Sequence, residues 1–591
     1  MFGSRLPWSG SAVMALAFAL ALGGCSSADA EGKCAASCSA DGLTLTRCEG
    51  GHEVTVECLR DFGQLCEVDR CVDPWRYGAP QWGTCPSDPL ATDETLAEKA
   101  SYYDDAAVRL HLHPDLGWVM GVRLRGAERP CAAGESPPCV DPVEPAVDER
   151  LATVADVETW QSGENDGLWS ALYLASQAFR YGATRSSVAL GTLRRLLEAE
   201  RDRMRITGVP GLFTRQYVRP GVTGLSCPTD DAAYTTDAEK DDNRWVQIRD
   251  DGCAWTVSRE TGTWARSDHC GLEAYAGWCW LDNVSKDEYS GHVFGLAAVV
   301  RLVDDAEVHG LAAELLGDFG AHLVENSLTL VDWDGRVTEH GKFSPLAFDD
   351  YPGFNAAMAL GFLKTAVEAT GRADLRAYYD DCLLARQGAP TCTLGSLTPS
   401  GSFVEYLGTP GLYVGPEGCE ANYNNISMHL LSLHDLLWFE RDPVARGAAQ
   451  RSLDVDVMRA PGEPRAILGQ HNALFDFIWA AQKALGPGTD GPAFEAVEDG
   501  VCMLRQFRAS QAQVDLTPPP RYQPYCKSRF DEDVAEHPRQ IGERCTANFV
   551  WWGDPYQLGS CTRDARRIHP PTGYLLAYWM ARYFGFVDEA Q

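Results

Sequence analysis

Six segments of this chain share one design: a polar or glycine-bearing loop runs into a helix that is apolar and aromatic nearly all round. They fall at 167–181, 289–303, 353–369, 424–439, 471–485 and 573–584. A helix without a polar stripe has to be buried on most sides, whereas one with a single apolar stripe can face water. Helices of the second kind lie between the first, at 186–205, 306–326, 372–386 and 494–508. Their alternation predicts a mainly α chain folded as an (α/α)6 toroid, with an inner and an outer ring. The stretch 95–110 supplies an outer helix from the start of the domain and closes the ring. The fourth outer helix is the least defined, because 442–453 is short and Pro461 and Pro464 interrupt the residues after it. The alternative, a multi-domain helical array, would show a constant repeat of about 20–50 residues, and none is present. Strand-like stretches at 117–124 and 328–343, the latter alternating around an Asp334-Gly335 turn, predict small β-hairpin insertions at the toroid mouth.

The first seventy residues have a different character. Arg5 followed by the apolar run 12–22 has the form of a secretory signal, too short to span a bilayer as an anchor. Leu22-Gly23-Gly24-Cys25 then resembles the bacterial lipobox, which implies cleavage after residue 24 and lipidation of Cys25. Residues 25–33 read as a tether. Setting Cys25 aside leaves an even number of the 21 cysteines, suited to disulfides in an oxidising compartment. Six of them, from Cys34 to Cys71, crowd a segment too small for a sizeable core, which predicts a disulfide-rich module at 34–72. A zinc module is disfavoured, since the segment holds no Cys-x-x-Cys pair and its only histidine is His52. Residues 73–92, rich in Pro, Gly and Trp, read as a linker to the toroid at 93–591. The expected location is the bacterial cell envelope, with outer-membrane placement favoured because Ser26-Ser27 lacks an inner-membrane retention Asp.

A net charge of −32 argues against nucleic acid and against acidic polysaccharides held by bulk electrostatics. A neutral or locally recognised ligand fits better. With 17 Trp and 21 Tyr, some aromatic side chains are available to stack on sugar rings, although most belong to the core. No metal or cofactor is expected: there is no HExxH, EF-hand loop or glycine-rich phosphate loop.

The run Glu164-Asn165-Asp166-Gly167-Leu168-Trp169 with the apolar helix after it, the Thr207-Gly208-Val209-Pro210-Gly211 stretch, and Asp287-Glu288-Tyr289-Ser290-Gly291-His292 resemble the six-hairpin glycosidase group of helical toroids. The likeness spans 93–586 as a pattern rather than as one diagnostic motif. It implies a carbohydrate-active enzyme with an oligo- or polysaccharide substrate: a glycoside hydrolase, or on related toroids a polysaccharide lyase or an epimerase.

Loops leading into the inner helices of a toroid converge at one end, so residues just before those helices line a common mouth. Glycoside hydrolysis needs a protonated acid and an ionised carboxylate flanking the scissile bond. Asp166, Asp287, Glu288 and Asp349 are the catalytic candidates, with Glu288 or Asp287 as acid and Asp166 as base. Asn165, Trp169, His292, Tyr351, Asn425 and His471 are the substrate-binding candidates. The competing reading places Asp166 and Asp287 as helix N-terminal residues that satisfy free N–H groups. A lyase would instead neutralise a uronate carboxylate and use His292, His340, His471 or Tyr351 as base, with Asn425 and Arg215 assisting. A non-catalytic glycan-binding or envelope scaffold is the reading from a different class.

Overall fold

Among the described residues twelve helices carry the architecture, and local sequence sets where many of them begin. The first, α1 (Leu96–Ala106), starts at a capping box in which Thr95 and Glu98 bond each other's backbone. In chain order come α2 (Asp166–Thr184), α3 (Ser187–Arg205), α4 (Lys286–Leu302), α5 (Ala306–Glu325), α6 (Pro352–Thr370), α7 (Ala373–Tyr378), α8 (Tyr423–Phe439), α9 (Pro443–Arg451), α10 (Ala473–Ala480), α11 (Gly491–Gln506) and α12 (Thr572–Tyr583). Ser186, Asp305, Asp442 and Asn472 cap α3, α5, α9 and α10 through their side-chain oxygens. The computed structural model describes residues 36–39, 44–49, 52–57, 65–67, 70–72, 94–236, 243–346, 352–394, 397–408, 413–414, 420–459, 467–482, 491–528 and 531–589. The signal segment, Cys25, the 73–92 linker, Asp349 and Tyr351 lie outside the described residues.

The even-numbered helices form a closed inner ring. Each packs on the next, α2 on α4, α4 on α6, α6 on α8, α8 on α10 and α10 on α12, and α12 returns to α2. The odd-numbered helices lie outside: α3 on α2, α5 on α4 and α6, α7 on α6, α9 on α8, α11 on α10, and α1 on α12. This is the (α/α)6 toroid. The ring is squeezed, since α4 also touches α8 across it. Every residue of α6 from Gly353 to Val367 is buried, as an inner helix requires. The fourth outer position is α9, begun by Pro443 and extended as a wider turn over Ser452–Met458.

Glycines let the inner helices approach. A Cβ on Gly361 of α6 would stand 2.5 Å from the Ser432 carbonyl of α8, and one on Gly295 of α4 would stand 2.5 Å from the Ala171 carbonyl of α2.

The β structure goes beyond the expected hairpins. The hairpin Thr329–Val331 with Val337–Lys342 forms as anticipated, with Gly335 at φ +82° in its turn. The strand Gly121–Leu124, however, belongs to a four-stranded sheet ordered Ala512–Gln513, Asp564–Ile568, Gly121–Leu124, Val157–Gln161. Its members run into α2 and α12, so the sheet crosses the seam where the ring closes. A five-stranded sheet, ordered Gln216–Val218, Cys279–Leu281, Trp245–Ile248, Cys253–Val257, Trp264–Cys270, fills the α3–α4 connection. The disulfides Cys227–Cys279 and Cys253–Cys270 staple it. In the 34–72 segment, Thr44–Glu49 pairs with His52–Glu57, placing Leu45 opposite Val56 as a small apolar centre.

Replacing Gly361 with Ala should overpack the α6–α8 contact and lower stability by about 1–3 kcal/mol, measured as an earlier denaturation midpoint with native helix content retained. An unchanged midpoint would mean that α6 and α8 do not approach this closely.

Candidate functional site at the toroid mouth

The mouth is built where the N-termini of the inner helices meet, and its first centre joins α2 to α4. Asp166 opens α2, and its carboxylate accepts from Ser162 Oγ at 2.9 Å and from the Gly163 N–H at 2.7 Å. The side chain is 1% exposed, beneath the exposed loop residues 162–164. Burial pushes its carboxyl up to about 7, outweighing the hydrogen bonds from Gly163 and Ser162, which stabilise the ionised form. Glu288 on α4 reaches across, and its Oε2 accepts the Leu168 N–H of α2 at 2.8 Å. That donor is one of the first-turn amides a helix cannot satisfy itself. Gly167 permits the reach, since a Cβ there would fall 2.3 Å from Glu288 Oε2.

Behind Glu288 runs a buried chain of charge. His292 Nε2 lies 3.6 Å from Glu288 Oε2, and His292 Nδ1 lies 2.6 Å from Glu200 Oε2 on α3. The approaches are ion pairs set off the hydrogen-bond direction, since neither ring nitrogen has a hydrogen-bond partner. The ring stacks on Phe213 at 4.3 Å. Burial disfavours the imidazolium, but Glu200 and Glu288 together outweigh it and raise the His292 pKa. Burial also raises the Glu288 carboxyl. His292 therefore supports Glu288 from behind and does not face the mouth.

Asn165 is held by Arg215, whose Nη1 donates to its Oδ1 at 3.1 Å while Nε donates to the Asn283 carbonyl at 2.9 Å. Asp287 accepts from Ser285 Oγ and is half-buried, so solvent reaches this carboxylate and not Glu288 beside it. Trp169, also half-buried, stacks on Phe549 at 6.0 Å and meets Trp552 edge-on at 5.8 Å. Trp552 Nε1 donates to Asn424 Oδ1 on α8, so an aromatic shelf spans the α2 and α8 ends. Asn425 is half-buried in the first turn of α8, its N–H bonded to the Asn422 cap.

A second centre lies at the start of α10. His471 takes φ +57°, a conformation that costs a non-glycine residue about 1–3 kcal/mol. Its Nδ1 lies 2.7 Å from Asp499 Oδ1 on α11. Asp476 is buried nearby, and burial with the Asp499 charge raises its carboxyl well above the usual range. No bond joins this centre to the α2–α4 centre among the described residues. Asp349 and Tyr351 lie outside those residues. His340 is exposed on its hairpin. Also among the described residues, no group of three or more acidic, histidine or cysteine side chains is arranged to hold a metal.

Glu200, Asp499 and Phe549 were not among the candidates from sequence. Glu200 left a signal, because it sits on the apolar stripe of α3 with Ala189, Leu193, Leu196 and Met204; an acid on a buried face needs a partner.

No family model matches the chain, and no curated relative matches it by sequence. Among solved structures it is similar to an inactive variant of the α-1,6-mannanase GH76A of Salegentibacter sp. HEL1_6 in complex with α-1,6-mannotetrose. That match has TM-score 0.33 and 12% identity, over 83% of this chain and all of the other. It is also similar to the cellulase Cel9M of C. cellulolyticum, with TM-score 0.32 and 11% identity over 83% and 97%. A third similar structure is the GH family 9 endoglucanase J30, with TM-score 0.32 and 11% identity over 84% of each chain.

The Asp166 carboxyl, moved from 3.8 to about 7 on folding, fixes a sign. The folded chain keeps a proton that the unfolded chain releases between about pH 4 and pH 7, so stability falls as pH rises through that window. Asp166→Asn should remove a slope worth on the order of a few kcal/mol, measured by denaturation at several pH values. A variant with the wild-type slope would contradict the protonated assignment.

Proposed function

We propose that this protein is a carbohydrate-active hydrolase that cleaves an oligo- or polysaccharide in the toroid mouth, held at the bacterial envelope by a lipid on Cys25. The observation that supports the reading is that α2 and α4 each begin with an acid in a different setting: Asp166 is buried, with its carboxyl pushed up to about 7, and Asp287 is half-buried and reached by solvent. A buried carboxyl raised toward neutral pH suits a general acid. Asp166 is the general acid, giving its proton to the leaving glycosidic oxygen once the 162–164 loop moves aside. Asp287 is the carboxylate that acts on water or on the anomeric carbon. This exchanges the roles expected from sequence and leaves Glu288, fully buried and bonded to Leu168, as a positioning residue. Trp169 and Trp552 supply the stacking surface for a sugar ring.

A second reading has its own observation. The His471–Asp499 pair is an oriented imidazole at the same end of the toroid, suited to take the α-proton of a uronate in a lyase.

The test is a panel of neutral and acidic glycans assayed for new reducing ends and for the near-ultraviolet absorbance of an unsaturated product. Hydrolysis predicts reducing ends without absorbance, lost by about 10²-fold or more in Asp166→Asn and in Asp287→Asn. Absorbance lost in His471→Ala favours the lyase. No cleavage of any glycan would sink both, and full activity in the doubly substituted carboxyl variant would sink the hydrolase.

A further inference from the structure

The loop 539–551 holds two buried cations that no carboxylate neutralises by contact. Arg544 is 7% exposed and Arg539 4%, and neither forms an ion pair among the described residues. Both guanidinium groups are spent on neutral backbone oxygens. Arg544 Nη2 donates to the Gln470 and His471 carbonyls at 3.0 Å each, and its Nε donates to the Arg539 carbonyl at 2.8 Å. Arg539 donates to the carbonyls of Gln557 and Gly559. Burial drives the Arg544 pKa down to about 10, with Tyr423, Asp499 and Asp554 only partly offsetting it. A desolvated cation without a counter-charge is costly, so its persistence needs an explanation.

A pocket beside Arg544 supplies one. It is open to solvent on one side and lined by Arg544, Arg508, Gln511 and Thr546, with Phe507 and Val550 as apolar walls. Two buried donors at its lining make no hydrogen bond, Arg544 Nη1 and Thr546 Oγ1. The Cys545–Cys561 disulfide fixes the loop that carries them. Its free space holds a substituent and not a whole sugar ring. The carbonyl contacts to Gln470 and His471 place it at the start of α10, on the same end of the toroid as the aromatic shelf.

We propose that this pocket binds the carboxylate of an acidic sugar, with Arg544 Nη1 and Thr546 Oγ1 as its donors, so that the mouth takes a uronate-bearing glycan. The assignment rests on the reading that the mouth binds a glycan, but not on which bond is cleaved. It also meets the charge constraint. A chain of net charge −32 repels polyanions at a distance, and a recessed site gives local recognition where bulk attraction is absent. A charge-assisted hydrogen bond from the remaining guanidinium N–H to a carboxylate is stronger than one between neutral groups.

The experiment uses the mature chain and calorimetry. The probes are oligosaccharides of galacturonate, glucuronate and guluronate, the same samples after carboxyl reduction, and inorganic sulfate alone. The expected result is that at least one uronate series binds ten-fold or more tighter than its reduced form. Thr546→Val should weaken that binding several-fold with an unchanged melting curve, and Arg544→Lys, which keeps the charge and loses the Nη1 donor, should weaken it at least ten-fold. The assignment is overturned if every series binds like its reduced counterpart, or if Thr546→Val and a folded Arg544→Lys both bind as wild type. Sulfate binding as tight as the best uronate would also overturn it, showing a free-anion site. Uronate binding without turnover leaves the pocket standing and removes the hydrolase. Turnover of neutral glycans without uronate preference does the reverse.

Discussion

The contact between Glu288 and the Leu168 amide is the interaction on which the mouth depends. It joins the N-terminal turns of two inner helices through a buried carboxylate at 2.8 Å, and it exists only because residue 167 has no side chain. The remaining oxygen, Oε1, has no hydrogen-bond partner, so the chain through His292 to Glu200 on the outer ring supplies compensating charge. Removing one member of such a buried set leaves an uncompensated charge, a defect worth about 3–5 kcal/mol. The contact ties the first turn of α2 to α4, and around it Ser162 and Gly163 hold Asp166, Ser285 holds Asp287, and Phe549 and Trp552 hold Trp169.

Buried carboxyls recur through the inner ring. Asp166, Glu288, Asp435 and Asp476 each begin or lie within an even-numbered helix, and burial raises the pKa of every one. Burial thus works against the ionised form of these carboxyls, most clearly at Asp166. The same principle separates Asp287 from Glu288. Consecutive residues on a helix point about 100° apart, so one meets solvent and its neighbour meets α2.

The inner helices were legible because an all-round apolar helix has few places to go, and 353–369 differs from α6 by a residue at each end. The role split at 287 and 288 was not legible, since it turns on helix rotation rather than on spacing. The four-stranded sheet was equally hidden: it pairs Val122 with Ile568, a contact that no local pattern announces. Arg544 sits in an irregular loop between short elements, where sequence carries no periodic signal at all. Glu200 was the readable omission, an acid on the apolar stripe of α3. At the fourth outer position the expected weakness is real, with α9 short and continued by a widened turn.

The groups proposed to bind and cleave a glycan all sit at one end of the ring, where inner helices begin. Hydrogen–deuterium exchange with and without a bound glycan measures that directly. Binding should slow exchange in the loops leading into α2, α4, α8 and α10, around residues 162–169, 283–289, 422–425 and 467–472, and leave the opposite ends of those helices unchanged. Protection confined to those opposite ends, or to strands 44–49 and 52–57 of the cysteine-rich segment, would contradict it.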